Sequence, residues 1–403
     1  MEKPQAPEQI LSQPLELPCG VVLKNRLGKS AMSDSLGNGC GDPTPQQQRL
    51  YEKWAQGGIA LSIIGEVQVD PRFPEKPGNL VLGEHSNPQA FAELATRGSL
   101  HNTHLWPQLG HAGALSHPPI SLPMGPSALH IGEFQCSEIS PDEISLLPQR
   151  YAEAARRAQS AGFGGVQIHA AHGFLLSQFL SPLFNLRTDG YGGSTQARCR
   201  ILLEVIAKVR SAVGAQFPIG IKINATDMLE DGLTQDQALE IFGLLHHSTV
   251  DLIDISAGTY FPGAKANSDG GGSGPYFLEF AKRARSATDI PLMLTGGFKT
   301  KQHALDAISS GDIDMVGLAR AMVLNPGLTD NWLGHDASDP VFPRFDSTPA
   351  GGITAWYTLR LTALGQDLED CFAMDLPTAI QTYAERDAQR CLNWRKTFRG
   401  TTR

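Results

Sequence analysis

The sequence predicts an α/β fold, a TIM (β/α)8 barrel with a C-terminal helical extension. Two observations carry this prediction: short, nearly continuous apolar runs recur along the chain, and amphipathic helical patterns lie between them. Strands of that composition belong in a parallel sheet that helices cover on both faces. A doubly wound open sheet is the alternative. It usually shows a glycine-rich dinucleotide turn after an early strand, and none is found here.

The predicted strands number eight when the run NRLGKSAMS at residues 25–33 is counted as the first. Eight strand–helix units are the number that closes a barrel of this kind. The other strands follow at 58–69, 103–110, 164–170, 218–225, 250–258, 290–297 and 313–320.

Helical patterns separate many of these strands. Gly162 is a typical helix stop, and Thr234 with Gln237 has the spacing of a capping box. The clearest helical patterns lie at 148–162, 196–214, 234–248 and 301–311.

The alternation of strands and helices weakens near residue 330, and helical patterns then return at 352–366 and 377–398. We therefore predict a barrel domain at 1–330 and a helical extension at 331–403 that packs on it. The glycine-rich segment SDGGGSGP at 268–275 is predicted to be a mobile loop, of the kind that can act as a lid.

Composition narrows the class of protein. The formal net charge is −8 and no block of basic residues occurs, which argues against a nucleic-acid partner. The six cysteines form no C-x-x-C pair, which argues against a zinc ribbon, an iron–sulfur site or a disulfide framework. We find no signal peptide and no membrane span, so we expect a cytoplasmic protein. A small-molecule substrate is expected, and a homo-oligomer is left open.

Two histidines lie where a barrel enzyme places its chemistry, at the carboxyl end of a strand. His169 closes the fourth predicted strand, and His172 follows three residues later. Two imidazoles there could bind a metal or donate hydrogen bonds to a substrate oxygen. No carboxylate or third histidine is evident locally, so we predict no metal site. The alternative is that both histidines only pack in the interior, with their ring nitrogens hydrogen-bonded. The position of two histidines together at a strand end disfavours this alternative.

Glycine-bearing ends of the last two predicted strands indicate a phosphate site. Gly297 closes the seventh predicted strand, and Ala319 and Arg320 close the eighth. Loop and helix amides converge there in this fold and bind phosphate groups. Gln108 and Lys222 also lie on strands, and their side chains would suit a polar heterocycle that carries negative charge.

The segment 169–194, HAAHGFLLSQFLSPLFNLRTDGYGGS, resembles the signature of the old yellow enzyme family, the FMN-dependent NADH:flavin oxidoreductases. The resemblance rests on H-x-x-H-G, QFLSP and N-x-R-x-D-x-Y-G-G-S. Further support comes from NRLGKSAMS, WAQGGIALSIIGEVQVD, QLGHAG, IKINATD, LTGGFKT and GLARAM. It covers about residues 10–330.

The resemblance implies non-covalent FMN in the barrel mouth, with NADH or NADPH as co-substrate. Ser33 falls where many members have threonine or cysteine, a position associated with the flavin potential. Lys222 replaces a frequent arginine, which keeps the charge but loses the bidentate fork. The residues that match the family's flavin contacts are Ser30, Ala31, Met32, Ser33, Gly65, Gln108, Lys222, Gly297, Ala319 and Arg320.

The resemblance also implies catalytic roles. His169 and His172 match the pair that binds the carbonyl oxygen of an electron-poor alkene, whose β-carbon receives hydride from flavin N5. Phe174 stands where most members carry a tyrosine that protonates the α-carbon, and phenylalanine has no proton to donate. Three alternatives follow: solvent or another group, for example Tyr260, supplies the proton; the enzyme works in the oxidative direction; or it moves hydride out and back and isomerises its substrate.

The leading interpretation is ene-reductase chemistry on an enone, enal or quinone-like α,β-unsaturated carbonyl. The alternative is a flavin-dependent isomerase or dehydrogenase, because the usual tyrosine is replaced by Phe174. Two alternatives come from other classes of protein. One is a flavin-binding protein without turnover, and the other is a barrel enzyme that binds a phosphate but no flavin. The retained histidine pair argues against the first of these rivals.

Overall fold

A closed barrel of eight parallel strands forms the centre of the computed structural model, which describes residues 7–131, 133–261, 264, 274–334 and 338–399. Each strand pairs with the next one along the chain, and the first also pairs with the last. This confirms the predicted barrel, and each strand lies inside its predicted range. The strands are β1 (Leu27–Met32), β2 (Leu61–Gln68), β3 (His104–Gly110), β4 (Val166–Ala170), β5 (Ile219–Asn224), β6 (Leu252–Ser256), β7 (Leu292–Thr295) and β8 (Met315–Leu318).

Helices cover the outside of the barrel and continue beyond it. Shorter helices lie at Leu175–Leu180, Arg320–Leu324 and Leu328–Leu333. The longer helices are α1 (Pro45–Gln56), α2 (Pro88–Gly98), α3 (Pro141–Ser160), α4 (Thr195–Val213), α5 (Gln235–His246), α6 (Leu278–Arg285), α7 (Lys301–Ser309), α8 (Gly352–Gly365) and α9 (Leu376–Thr397).

The capping box predicted for α5 is present, because the Thr234 and Gln237 side chains each accept from the other residue's backbone N–H. Helix α3 begins earlier than its predicted range, because Ser140 caps it by accepting from the backbone N–H of Glu143. Pro148, where the prediction started this helix, lies inside it.

Helices α1, α2 and α6 were not predicted. Helix α1 is polar over much of its length, and its buried face includes Leu50, Tyr51 and Trp54. Such a narrow apolar stripe is a weak sequence signal. The loop predicted at 268–275 lies outside the described residues, except for its last two positions.

The lower interior of the barrel, near the amino ends of the strands, is apolar. Trp106 is fully buried there and packs with Leu252, Met293 and Met315 in one cluster. Gly220 makes room for the indole, since a Cβ at this position would lie 3.0 Å from its ring. Leucines of an N-terminal hairpin join the cluster and close this end of the barrel.

The C-terminal helices α8 and α9 lie against the barrel. In α9, the Trp394 indole donates to the carbonyl of Pro71 at 3.1 Å, and Arg390 Nη1 donates to the carbonyl of Ser35 at 2.6 Å. Pro71 and Ser35 follow β2 and β1, so α9 lies beside the carboxyl ends of these strands. The domain boundary near residue 330 stays a prediction.

None of the helices in the described ranges combines the length and the apolar character that crossing a bilayer requires.

Candidate active site

Above the apolar layer, the barrel interior becomes polar, and Asp254 of β6 is the centre of a hydrogen-bond network. Its Oδ2 accepts from Lys222 Nζ at 2.5 Å and from Gln167 Nε2 at 3.1 Å. Its Oδ1 accepts from Thr295 Oγ1 at 2.7 Å. Asp254 is fully buried, so its charge is compensated by the buried Lys222 ammonium rather than by water.

The network joins three of the predicted flavin contacts to residues on other strands. Gln108 Nε2 of β3 donates to Gln167 Oε1 of β4 at 2.6 Å. On the opposite side of Asp254, the hydroxyls of Ser30 and Thr295 lie 2.8 Å apart. Ser30, Gln108 and Lys222 therefore belong to one network, whose other members were not predicted.

A cavity opens at the carboxyl ends of the strands. It contains eight of the predicted site residues and two carboxylic acids that the sequence analysis missed. Its lining residues are Ala31, Met32, Ser33, Glu66, Glu75, Gln108, His169, His172, Phe174 and Tyr260. The histidine pair, the residue that replaces tyrosine and the predicted flavin-edge residues thus face one space.

The two histidines lie side by side in this cavity, with ring centroids 5.2 Å apart and ring planes nearly perpendicular. His169 Nδ1 accepts from the Ala171 backbone N–H at 3.2 Å, so its proton belongs on Nε2. His172 Nε2 lies 2.7 Å from Ser256 Oγ. The backbone of His172 is left-handed, with φ 60°, and its N–H donates to Asn224 Oδ1.

Both imidazoles are neutral at physiological pH. Burial lowers the pKa of His169 to about 3, and the nearby Lys222 charge acts in the same direction. Burial also lowers the pKa of His172 well below its usual range, helped by His169 and Lys222. A neutral imidazole keeps one N–H, which makes each ring a hydrogen-bond donor rather than a cation.

Phe174 packs directly beside the histidine pair. Its ring centroid lies 5.0 Å from that of His169 and 5.8 Å from that of Tyr260, and its side chain is buried. Tyr260 lies 5.7 Å from His172, ring to ring, and is 67% exposed. The structure therefore brings both predicted substrate residues to the cavity, with Tyr260 at its open side.

Glu66 is the first of the missed acids. It lies at an irregularity in the β2–β3 pairing and has a left-handed backbone, with φ 63°. Its Oε1 is 3.4 Å from His169 Nε2, and only 6% of the residue is exposed. Burial raises the pKa of Glu66 to about 8. A single acid inside the apolar run LSIIGEVQ was the signal that could have identified it.

Glu75 is the second missed acid, in the loop after β2. Ser33 Oγ donates to Glu75 Oε2 across 3.4 Å. Burial raises the pKa of Glu75 to about 7, and the neighbouring Glu66 charge adds to the shift. No local sequence pattern distinguishes this glutamate, because the loop that carries it reaches the cavity only in the folded barrel.

Four other predicted contacts lie outside the cavity lining. A Cβ at Gly65 would lie 2.2 Å from the Met32 carbonyl, so Gly65 is packed against β1. Gly297 and Ala319 follow the adjacent strands β7 and β8, and Gly297 has φ 85°. The Arg320 guanidinium lies 5.6 Å from the centre of the Tyr357 ring in α8.

Among the described residues, no group of three or more histidine, cysteine or acidic side chains is arranged to hold a metal ion.

A closed parallel barrel with its polar chemistry at the carboxyl ends of the strands defines a barrel enzyme. The chain belongs to the NADH:flavin oxidoreductase / NADH oxidase family, whose sequence profile matches residues 11–333. Its cofactor is therefore FMN, bound non-covalently, and its reductant is NADH or NADPH. The family and cofactor predicted from the sequence are confirmed.

Individual relatives agree with this assignment. The chain is 33% identical over 364 residues to the NADH-dependent flavin oxidoreductase iliE of Hypocrea jecorina, a match that covers 81% of this chain and 90% of that protein. It is 34% identical over 352 residues to iliE of Neonectria sp., which covers 78% of this chain but only 46% of that protein. Morphinone reductase in complex with tetrahydroNAD has a TM-score of 0.70 at 23% identity, covering 83% of this chain and 93% of that chain. At this identity the likeness shows the fold alone.

The residues at the barrel mouth fit an FMN ring. The network supplies the hydroxyl of Ser30, the amide of Gln108 and the ammonium of Lys222, which suit the polar edge of a flavin. Ala31 and Met32 add apolar surface beside them. The donor set thus suits a ring that has one polar side.

Proposed function

We propose that this enzyme reduces the carbon–carbon double bond of an α,β-unsaturated carbonyl compound, such as an enone, an enal or a quinone-like molecule. The observation that carries the proposal is the pair of neutral imidazoles, His169 and His172, in the same cavity as the predicted flavin-edge residues. Two neutral donors suit a carbonyl oxygen that gains negative charge during the reaction.

The histidine pair would bind that oxygen and stabilise the enolate. The tautomer of His169 is set by the Ala171 amide, so its Nε2–H faces outward from the backbone. Ser256 orients the ring of His172 through Nε2. Preorganised donors of this kind need no rearrangement when charge develops, and each contributes about 3 kcal/mol to lowering the barrier.

The flavin site would be built by the predicted contacts. Ser30, Gln108 and Lys222 would bind the polar side of the ring, and Ala31, Met32 and Ser33 would lie along its redox edge. Gly297, Ala319 and Arg320 would bind the phosphate, a role supported by the adjacent positions of their strands. Gly65 would contact the ring from below. When bound, FMN supplies the hydride that the β-carbon receives.

Lys222 would stabilise the negative charge of reduced flavin. Its ammonium is already paired with Asp254 at 2.5 Å, so the net field at the ring is smaller than that of a free cation. Phe174 and Tyr260 would form the wall of the substrate site next to the histidines.

Anaerobic reoxidation tests the proposed function. The flavin of the purified enzyme is reduced with NADH or NADPH and then mixed with a panel of enones, enals and quinones. We expect rapid reoxidation by at least one enone or enal, with reduction of its double bond confirmed by product analysis. Failure of every α,β-unsaturated carbonyl compound to reoxidise the flavin contradicts the proposal.

A further inference from the structure

We propose that Glu66 is the acid that protonates the α-carbon of the substrate, the task for which Phe174 has no proton. This inference rests on the proposed function, because it names the proton donor for that reaction. Both residues flank the same imidazole: the Glu66 carboxyl lies 3.4 Å from His169 Nε2, and the Phe174 ring centroid lies 5.0 Å from that of His169.

The backbone at Glu66 is unusual for its residue type. A left-handed φ of 63° in a strand is unfavourable for a side chain with a Cβ, and glycine is the residue that adopts it freely. The irregular pairing of β2 with β3 between Ile64 and Val67 accommodates it. Such irregularities turn a side chain toward a site that regular alternation would not reach. Here the turned side chain lines the cavity.

The two oxygens of the Glu66 carboxyl have different neighbours: Oε1 faces His169, and Oε2 accepts from Gln68 Nε2 at 3.4 Å. Because His169 Nδ1 accepts from Ala171, Nε2 carries the hydrogen, and this nitrogen lies 3.4 Å from Glu66 Oε1. Oε2 lies over the end of β3, where a Cβ at Gly110 would be 3.4 Å away. A proton on Oε2 therefore belongs to a carboxylic acid whose other oxygen lies beside the imidazole that would bind the substrate.

The charged and titratable groups around Glu66 come from several elements. They are His169 of β4, Lys222 of β5, Tyr151 of α3, Glu75 of the loop after β2, and Tyr260 of the loop after β6. Lys222 is committed to Asp254. The histidine beside the Glu66 carboxyl, His169, is neutral and supplies no compensating charge. The neutral, protonated form of the acid is therefore favoured at pH 7, in line with its raised pKa.

The step balances as a two-electron reduction. The β-carbon gains a hydride from reduced flavin, the π electrons of the double bond shift toward the carbonyl, and the histidines stabilise the resulting enolate. The α-carbon then forms a bond to the proton of Glu66 Oε2, and the electron pair of the broken O–H bond stays on the carboxylate. The carbonyl is restored, and Glu66 regains a proton from water at the cavity mouth.

Two other groups in the cavity could donate instead. Glu75 contacts Ser33 rather than a histidine. Tyr260 is 67% exposed on the open side, where its phenol is accessible to solvent. Tyr260 packs against His172, whereas the Glu66 carboxyl flanks His169, the imidazole that Phe174 also contacts, and this position favours Glu66.

The test separates the two half-reactions of the FMN-loaded Glu66→Gln variant by stopped-flow spectroscopy. Flavin reduction by NADH or NADPH requires no carbon protonation and should be unchanged. Reoxidation by 2-cyclohexenone, or by the best enone of the panel, should slow about a hundredfold or more, as expected for the loss of general-acid help. Reoxidation by ferricyanide, a one-electron oxidant that needs no carbon protonation, should keep the wild-type rate.

Matched variants sharpen the result. Glu75→Gln makes the same change on the other acid of the cavity and should slow enone reoxidation far less than Glu66→Gln. Glu66→Asp keeps an acid and should recover part of the rate. Adding Phe174→Tyr to Glu66→Gln should also restore enone reoxidation, because a phenol then stands on the other side of His169. Equal enone rates in wild type and Glu66→Gln, or a larger loss in Glu75→Gln, overturn the inference.

The failure of the inference differs from that of the proposed function. If the wild-type flavin is not reoxidised by any enone or enal, the proposed function fails. If wild type is active and Glu66→Gln equals it, only the role of Glu66 fails. Should Glu66→Gln bind no FMN, the wild-type pH profile decides: enone reoxidation should fall above about pH 8 while ferricyanide reoxidation stays level, and a flat enone profile contradicts the inference.

Discussion

The barrel interior has two layers with opposite chemistry. Near the amino ends of the strands, Trp106, Leu252, Met293 and Met315 form a dry apolar layer. Toward the carboxyl ends, the same strands carry a network centred on Asp254 and then the cavity with its histidines. A difference of two residues along a strand therefore separates positions that stabilise the barrel from positions that perform chemistry.

The two layers are expected to respond differently to substitution. The lower layer is tightly packed, so a substitution that removes volume there should lower the free energy of unfolding. Buried polar groups in the upper layer hold charges and protons in place, so a substitution there should change the reaction rates before it changes stability. The predictions that follow test this contrast, from the largest expected effect to the smallest.

Replacing both His169 and His172 by alanine should reduce enone reduction by at least about a thousandfold, because both donors to the carbonyl oxygen are lost. Steady-state kinetics and flavin reoxidation measure this effect. The melting temperature should change little beside it, since neither imidazole belongs to the apolar layer. Full activity in the double variant contradicts the carbonyl-binding role.

Trp106→Ala should show the reverse pattern. Removing a fully buried indole leaves a cavity in the lower layer and should cost about 3–5 kcal/mol of unfolding free energy. Denaturant titration measures the loss, and the rate per folded, flavin-loaded molecule should stay near the wild-type value. A large kinetic effect with intact stability would show that the layers are not separate.

Asp254→Asn should affect both stability and flavin chemistry, because the Asp254 carboxylate compensates the buried Lys222 ammonium of the upper layer. The Lys222 ammonium would lose its carboxylate partner while still buried, and breaking such a pair costs about 3 kcal/mol. A less compensated cation near the flavin should also raise the midpoint potential of FMN. Spectroelectrochemical titration against wild type checks the second effect, and an unchanged potential would separate Asp254 from the flavin.

The ionisation of Glu66 should make the stability of the protein depend on pH. Its pKa is raised on folding from the model-peptide value near 4.3 to about 8, so its contribution to stability is present below the unfolded pKa and is lost as pH rises toward 8. The unfolding free energy of Glu66→Gln should therefore be compared with that of wild type at pH 5.5 and at pH 8.5. The difference should be more favourable to the variant at pH 8.5, by on the order of 2 kcal/mol. Unfolding titrations at the two pH values provide the measurement, and an equal difference at both contradicts the raised pKa.

His169 should contribute with the opposite sign. Its pKa falls on folding from near 6.5 to about 3, so its contribution is present above the unfolded value and is lost as pH falls toward 3. His169→Gln should flatten the acid side of the stability profile between these limits.

Phe174→Tyr in the wild-type background should have the smallest effect. With Glu66 present, a new phenol duplicates an existing acid, so enone reduction should rise by less than about tenfold. Product formation rates check this expectation. A hundredfold gain would show that the wild-type enzyme lacks an internal donor.

Much of the fold was accessible from the sequence because the strand signal is local. Each barrel strand is short and apolar, so it stands out between helical segments. The helices α1 and α2 were missed because their buried faces are narrow, and the predicted range of α3 left out its first turns, which Ser140 caps.

The site was only partly accessible. His169 and His172 could be recognised because the signature places them close together in the chain. Asp254 escaped because its partners Lys222 and Thr295 lie on neighbouring strands, and only the barrel register brings the three together. Side-chain pairing across strands has no local sequence pattern.

The sequence by itself determined the eight-strand barrel, the flavin family and the histidine pair, since periodic apolar runs and a contiguous signature depend only on neighbours along the chain. Tertiary structure alone decided which acids enter the cavity. Glu66 reaches His169 because the irregular β2–β3 pairing holds its backbone in a left-handed conformation, and Glu75 arrives on a loop folded over the same opening. Backbone geometry and burial set the direction and the protonation of these carboxyls, and neither property is encoded by residue identity.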